Sequence, residues 1–219
     1  MTDFALARRN MVDGQLRPNK VTNVDLLAAV GELPRERFLP EALRAVAYAD
    51  DDVPLGKGRY LMEPMVLARL IQALQPGPDD RALVVASGRG YGAALLARLV
   101  KSVVAVESDP AMASAADQTV KALGLGNVTH HVGKCEDGAA SAGPYDIVLI
   151  EGAVRQIPQS LIDQIAEGGR LATVLCGTGG VQGAAQLMVK ESGAASGRPL
   201  FDAGTPALPG FAPPAKFTF

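Results

Sequence analysis

The chain has 219 residues, with 21 Lys and Arg against 23 Asp and Glu and a formal charge of −2. Hydrophobic residues make up 48%, which supplies a core and argues against intrinsic disorder. The charge balance forces no basic face for nucleic acid or an anionic membrane, and no apolar run is long enough to span one.

Two cysteines, Cys135 and Cys176, are too few for a disulfide scaffold and suit a reducing cytosol. Neither stands at metal-site spacing from His130 or His131, so no metal is expected. The N-terminus has no apolar stretch of signal-peptide length. The expectation is a soluble cytoplasmic protein, with its oligomeric state open.

In chain order, residues 1–75 read as helices joined by Pro- and Gly-bearing loops, an N-terminal segment packed on the core. Residues 76–219 read as an α/β core with a Gly- and Pro-rich tail, the whole forming one compact domain. The runs 82–86, 103–106 and 147–150 are continuously apolar, as strands covered on both faces are. Helices are expected over about 91–99, 110–123 and 158–166; Pro110 and Pro158 suit a first helical turn. Further strands are expected near 128–132, 170–175 and 186–190. Residues 192–219 are rich in Gly, Pro and Ala; the ending 216–219 alternates like an edge strand, with a loose tail as the alternative. The alternation predicts a doubly wound, mostly parallel sheet.

In such a sheet ligands sit beyond the carboxyl ends of the strands, at the switch point. After the first strand come Ala86, Ser87, Gly88, Gly90 and Tyr91, a glycine-rich turn that lets a ligand approach the backbone. The spacing is not that of a dinucleotide-binding turn, which disfavours a nicotinamide dehydrogenase. Glu107 ends the second strand about 20 residues beyond Gly88, where a carboxylate can accept both hydroxyls of a ribose. Turn and acid together point to a nucleoside-containing cofactor.

Here the chain resembles the protein-L-isoaspartate O-methyltransferases. The resemblance runs from about residue 11 to 177. It is carried by Met11-Val12 with Gln15-Leu16, by Pro34-Arg-Glu-Arg-Phe-Leu-Pro40, and by Ala47-Tyr48 with Asp50. It continues through Pro54-Leu-Gly-Lys-Gly58, Gly90-Tyr-Gly-Ala-Ala-Leu-Leu-Ala97 and Gly168-Gly-Arg-Leu171.

The resemblance implies a Rossmann-like, seven-stranded methyltransferase fold with extra N-terminal helices. It also implies S-adenosylmethionine (SAM) as cofactor and methyl transfer to the carboxylate of isoaspartyl residues in damaged proteins or peptides. The implied cofactor residues are Ala86, Ser87, Gly88, Gly90, Tyr91, Glu107, Ser108, Lys134 and Cys135. The implied substrate loop is Gly58, Arg59, Tyr60, Leu61, Met62 and Pro64, with Arg59, Tyr60 and Glu151 as candidate catalytic groups.

The chain departs from the family pattern in these loops. Met62 stands where the family's active-site serine is, and a thioether has no proton to donate. Tyr60 replaces a threonine, Ala86 a glycine of the cofactor turn, Lys134 an acid, and Glu151 a small or hydroxyl residue. An anionic Glu151 would repel an anionic acceptor, or instead pair with Arg59, meet the cationic end of SAM, or serve as base for a neutral acceptor. Two other readings therefore stand beside isoaspartyl methylation: a methyltransferase with a changed acceptor, and a pseudoenzyme keeping the fold as a binding or regulatory protein.

Overall fold

The structure, a computed structural model, describes residues 3–177 and 182–211. Helix α1 (Phe4–Met11) starts at Asp3, whose carboxylate accepts the Leu6 N–H at 3.0 Å. Helix α2 (Val24–Glu32) starts at Asn23 in the same way. Two short 3-10 turns, Arg35–Phe38 and Glu41–Val46, lead into strand β1 (Val53–Gly56). β1 pairs antiparallel with β2 (Arg59–Leu61), and α3 (Pro64–Leu74) follows with proline in its first turn. The hairpin turn is tight because Gly56, Lys57 and Gly58 all take positive φ, at 93°, 50° and 72°.

The sheet then runs β3 (Arg81–Val85), α4 (Tyr91–Ala97), β4 (Ser102–Glu107), α5 (Pro110–Ala122), β5 (Val128–Val132) and β6 (Tyr145–Val154). It ends with α6 (Gln159–Asp163), β7 (Ile165–Cys176), β8 (Gln182–Glu191) and β9 (Ala194–Gly204). The seven strands lie in the order β5-β4-β3-β6-β7-β8-β9. Strands β3 to β7 are parallel, and β8 and β9 join antiparallel. The chain starts at β3, winds out to β5 and returns on the other side as β6. The switch point therefore lies at the carboxyl ends of β3, β4 and β6.

The apolar runs are buried on both faces. Val84 and Leu149 join a cluster that includes Met11, Leu26 and Phe38 of the N-terminal segment. Leu83, Val85, Val148 and Ile150 face the other way, against Leu161 of α6. The doubly wound, mostly parallel seven-stranded sheet is thus the expected one.

Three local expectations are corrected. The stretch read as helices and loops holds the β1–β2 hairpin, because its turn needs only residues tolerant of positive φ. The helix expected over 158–166 stops at Asp163, because Ile165 already pairs with Tyr145 in the sheet. The stretch 192–219, where an edge strand is expected only at 216–219, contains β9 at Ala194–Gly204, an edge strand in which Pro199 is tolerated. Beyond it, residues 205–208 fold back on β6: Leu208 N–H donates to the Ala153 carbonyl at 2.8 Å. The stretch 216–219 lies outside the described residues.

Candidate functional site

The turn after β3 is built by backbone bonds. Ser87 N–H donates to the Val106 carbonyl at 3.1 Å, and Gly90 N–H closes on the Ser87 carbonyl at 2.8 Å. Gly88 and Gly90 take φ of 53° and 90°, and Ala86 takes 57°. The alanine holds a left-handed conformation at a cost of about 1 kcal/mol. The turn is covered: a methyl built on Gly88 would come within 3.0 Å of Leu55 Cδ1 in β1. The hydroxyl of Ser87 is buried and has no hydrogen-bond partner among the described residues.

Glu107, 0% exposed, stands beside this turn at the end of β4. Its Oε1 accepts the N–H groups of Ser108 at 2.7 Å and Asp109 at 3.0 Å. Its Oε2 accepts Gly88 N–H at 2.9 Å. Backbone amides thus fix the carboxylate at the carboxyl end of β4, beside the turn after β3. Asp109 also caps α5, accepting Ala111 N–H at 2.8 Å and Met112 N–H at 3.1 Å.

Arg59 completes the cluster. From β2 its Nε donates to Glu107 Oε2 at 3.0 Å, and its Nη2 reaches Ser108 Oγ at 3.0 Å and Cys135 Sγ at 3.3 Å. The side chain is 4% exposed. Burial opposes its charge most strongly, but Glu107 and Cys135 together outweigh it, and the net pKa is raised. Burial pushes the Cys135 thiol up, only partly offset by Arg59, so this cysteine is a neutral packing group. Lys57, in the hairpin turn, pairs with Asp109. On the outer side, a methyl built on Gly58 would meet Pro209 Cγ at 2.5 Å.

Behind the turn lies a second buried charge cluster. Arg35, 0% exposed, donates Nε to the Ala47 carbonyl and Nη2 to the Met62 carbonyl, both at 2.6 Å. Its guanidinium sits 4.9 Å from the Tyr91 ring centre, and Tyr91 is itself buried edge-on against Phe38. Glu151, 4% exposed, packs against Gly92, and its Oε1 has no partner among the described residues. Burial raises its pKa to about 8, with Glu107 adding to the rise and Arg35 and the Gly92 amide opposing it.

At neutral pH Glu151 is therefore mostly protonated. In that form it does not repel an anion strongly. Because its folded pKa exceeds the ordinary 4.5, stability is lost as pH rises from about 4.5 through 8. Glu151→Gln removes this loss. Thermal unfolding at pH 5 and pH 8 should show the wild type losing roughly 10 °C more than the variant. Glu63, raised to about 7 by burial and the acids at 50–52, contributes a slope of the same sign to both proteins.

The structure brings together Ala86, Ser87, Gly88, Gly90, Glu107, Ser108 and Cys135, seven of the nine expected cofactor residues. Tyr91 lies deeper, against Arg35, and Lys134 is exposed. The expected substrate loop does not face an acceptor as a unit. Leu61, Met62 and Pro64 are buried in the core, Tyr60 is half-buried opposite Pro54, and Arg59 turns inward onto Glu107. Met62 at the serine position offers the site only its carbonyl, which Arg35 takes. Sequence reasoning did not single out Arg35, Lys57, Leu55 or Asp109 as site residues. The fixed interval from Gly88 to Glu107 made Asp109 findable as the following helix cap; Arg35, Leu55 and Lys57 stand in the motifs 34–40 and 54–58, which mark the family but assign these side chains no role.

Residues 7–200 match the family model of protein-L-isoaspartate(D-aspartate) O-methyltransferase. A relative named protein-L-isoaspartate O-methyltransferase from Roseiflexus sp. is 37% identical over 191 residues, covering 87% of this chain and 86% of the relative. One of the same name from Methylorubrum populi is 39% identical over 180 residues, covering 82% and 84%.

A solved structure named protein-L-isoaspartate O-methyltransferase superposes with a TM-score of 0.80 at 24% identity, over 93% of this chain and 66% of that one. A Plasmodium falciparum structure, described as a putative protein-L-isoaspartate O-methyltransferase in complex with S-adenosyl-L-homocysteine, gives 0.75 at 19% identity, over 95% and 99%. At these identities the superpositions speak for the fold. The sequence matches carry the kinship: this chain belongs to the protein-L-isoaspartate(D-aspartate) O-methyltransferase family.

Proposed function

We propose that this protein is a cytoplasmic, SAM-dependent carboxyl methyltransferase that acts on isoaspartyl residues of damaged proteins or peptides. The observation that carries the reading is Glu107. It is a buried carboxylate held by three backbone amides at the switch point, beside a turn of positive φ, in a chain matched to this family over 7–200. Among the described residues no helix is long and apolar enough to cross a membrane, and no cluster of three or more potential ligands could hold a metal.

The residues fit the nucleoside end of SAM. Of the donors on Glu107, two are backbone amides of its own turn, one is the Gly88 amide of the neighbouring turn after β3, and Ser108 Oγ lies 3.2 Å from Oε1. Arg59 alone comes from a distant element, so a ribose diol can replace it without rebuilding the backbone. The unpartnered hydroxyl of Ser87 offers a further donor at the same turn. The cofactor supplies a methyl group activated by sulfonium charge. A carboxylate acceptor is already ionised near pH 7, so the protein must orient the two rather than remove a proton.

The experiment is esterification of an isoaspartyl peptide, with the aspartyl peptide as control and Arg59→Gln run beside the wild type. Base-labile methyl ester on the isoaspartyl peptide alone is expected. No ester above blank from either protein, or equal ester on both peptides, contradicts the reading. The changed-acceptor and pseudoenzyme readings gain no support from the comparisons.

A further inference from the structure

The geometry points to Arg59 as a resident occupant of the nucleoside cradle, which has to leave before the cofactor can enter. The inference rests on the proposed reading of Glu107 as the ribose acceptor. The guanidinium touches three groups expected at the cofactor: Glu107, Ser108 and Cys135. A guanidinium offers a carboxylate planar N–H donors, and a ribose diol offers it O–H donors. Each oxygen of Glu107 already accepts two or more hydrogen bonds. The two donors therefore compete for the same lone pairs and the same volume.

The occupant is held in place by its whole hairpin. Lys57 pairs with Asp109, Leu55 lies over Gly88, and Pro209 bears on Gly58 from outside. These contacts converge on one short turn, so the closed form is built rather than incidental. Apparent affinity for a ligand of the open form is reduced by the fraction of molecules that are open. Arg59 thus sets the cofactor concentration at which the protein becomes active.

Calorimetric titration with S-adenosylhomocysteine compares the wild type with Arg59→Gln at one pH and salt. Binding at least tenfold tighter in the variant is expected. Affinities within twofold, or no binding to either protein, overturn the inference. If the variant fails to fold, the wild type answers alone. The Arg59 Nε–H resonance, slow to exchange when buried on Glu107, is expected to exchange fast at saturating S-adenosylhomocysteine. Its persistence in the complex overturns the inference.

The two readings fail separately. A variant that binds S-adenosylhomocysteine tightly yet esterifies no peptide keeps the gate and removes the acceptor. Equal tight binding with esterification keeps the function and removes the gate.

Discussion

Glu107→Gln should lower stability by about 3–5 kcal/mol, read as a fall in melting temperature of about 10 °C. Each oxygen of Glu107 faces N–H donors: Oε1 those of Ser108 and Asp109, Oε2 those of Gly88 and Arg59. A glutamine amide has one carbonyl oxygen and one NH2, so either orientation sets donor against donor on one side. Arg59 also stays buried without its anion. The exposed pair Arg17–Asp13, one helical turn apart, is the contrast; its removal should cost less than about 0.5 kcal/mol. Adding Arg59→Gln to Glu107→Gln should recover part of the loss, because the unpaired cation goes with it. Equal losses in the single and double variants would show that the ion pair is not the source.

Arg35→Ala should be about as damaging, costing about 4 kcal/mol or more in urea unfolding. Two buried carbonyls, those of Ala47 and Met62, lose their donor, and each such orphan costs about 1–3 kcal/mol. The space beside Tyr91 empties as well. Arg35→Met separates the terms: it refills the volume but leaves both carbonyls unpaired. It should recover less than half of the loss. Full recovery would assign the role of Arg35 to packing alone.

The parts of the fold legible in sequence are those where burial writes a simple pattern. Runs such as 147–150 are apolar without alternation because helices cover both faces of the sheet, and Pro110 marks a helix start because φ is preset. The β1–β2 hairpin was not legible: its strands are of four and three residues, one holding Pro54, too short for a period to emerge. Strand β9 escaped for a related reason, since an exposed edge needs no apolar alternation and tolerates Gly197 and Pro199.

In the site, the turn and Glu107 could be found by spacing, because both hang on adjacent parallel strands. The inward turn of Arg59 could not. It joins residues 48 apart in sequence through a hairpin that the pattern hid, and an arginine in a Gly-Lys-Gly-Arg loop otherwise reads as solvated. The buried state of Glu151 was equally hidden, since β6 continues past the apolar run to Val154.

A crystal structure of the wild-type protein with S-adenosylhomocysteine tests the account most directly. Both ribose hydroxyls are expected on the carboxylate of Glu107, with the guanidinium of Arg59 displaced from it. Arg59 still seated on Glu107, with the ligand bound at another place or not at all, would contradict it.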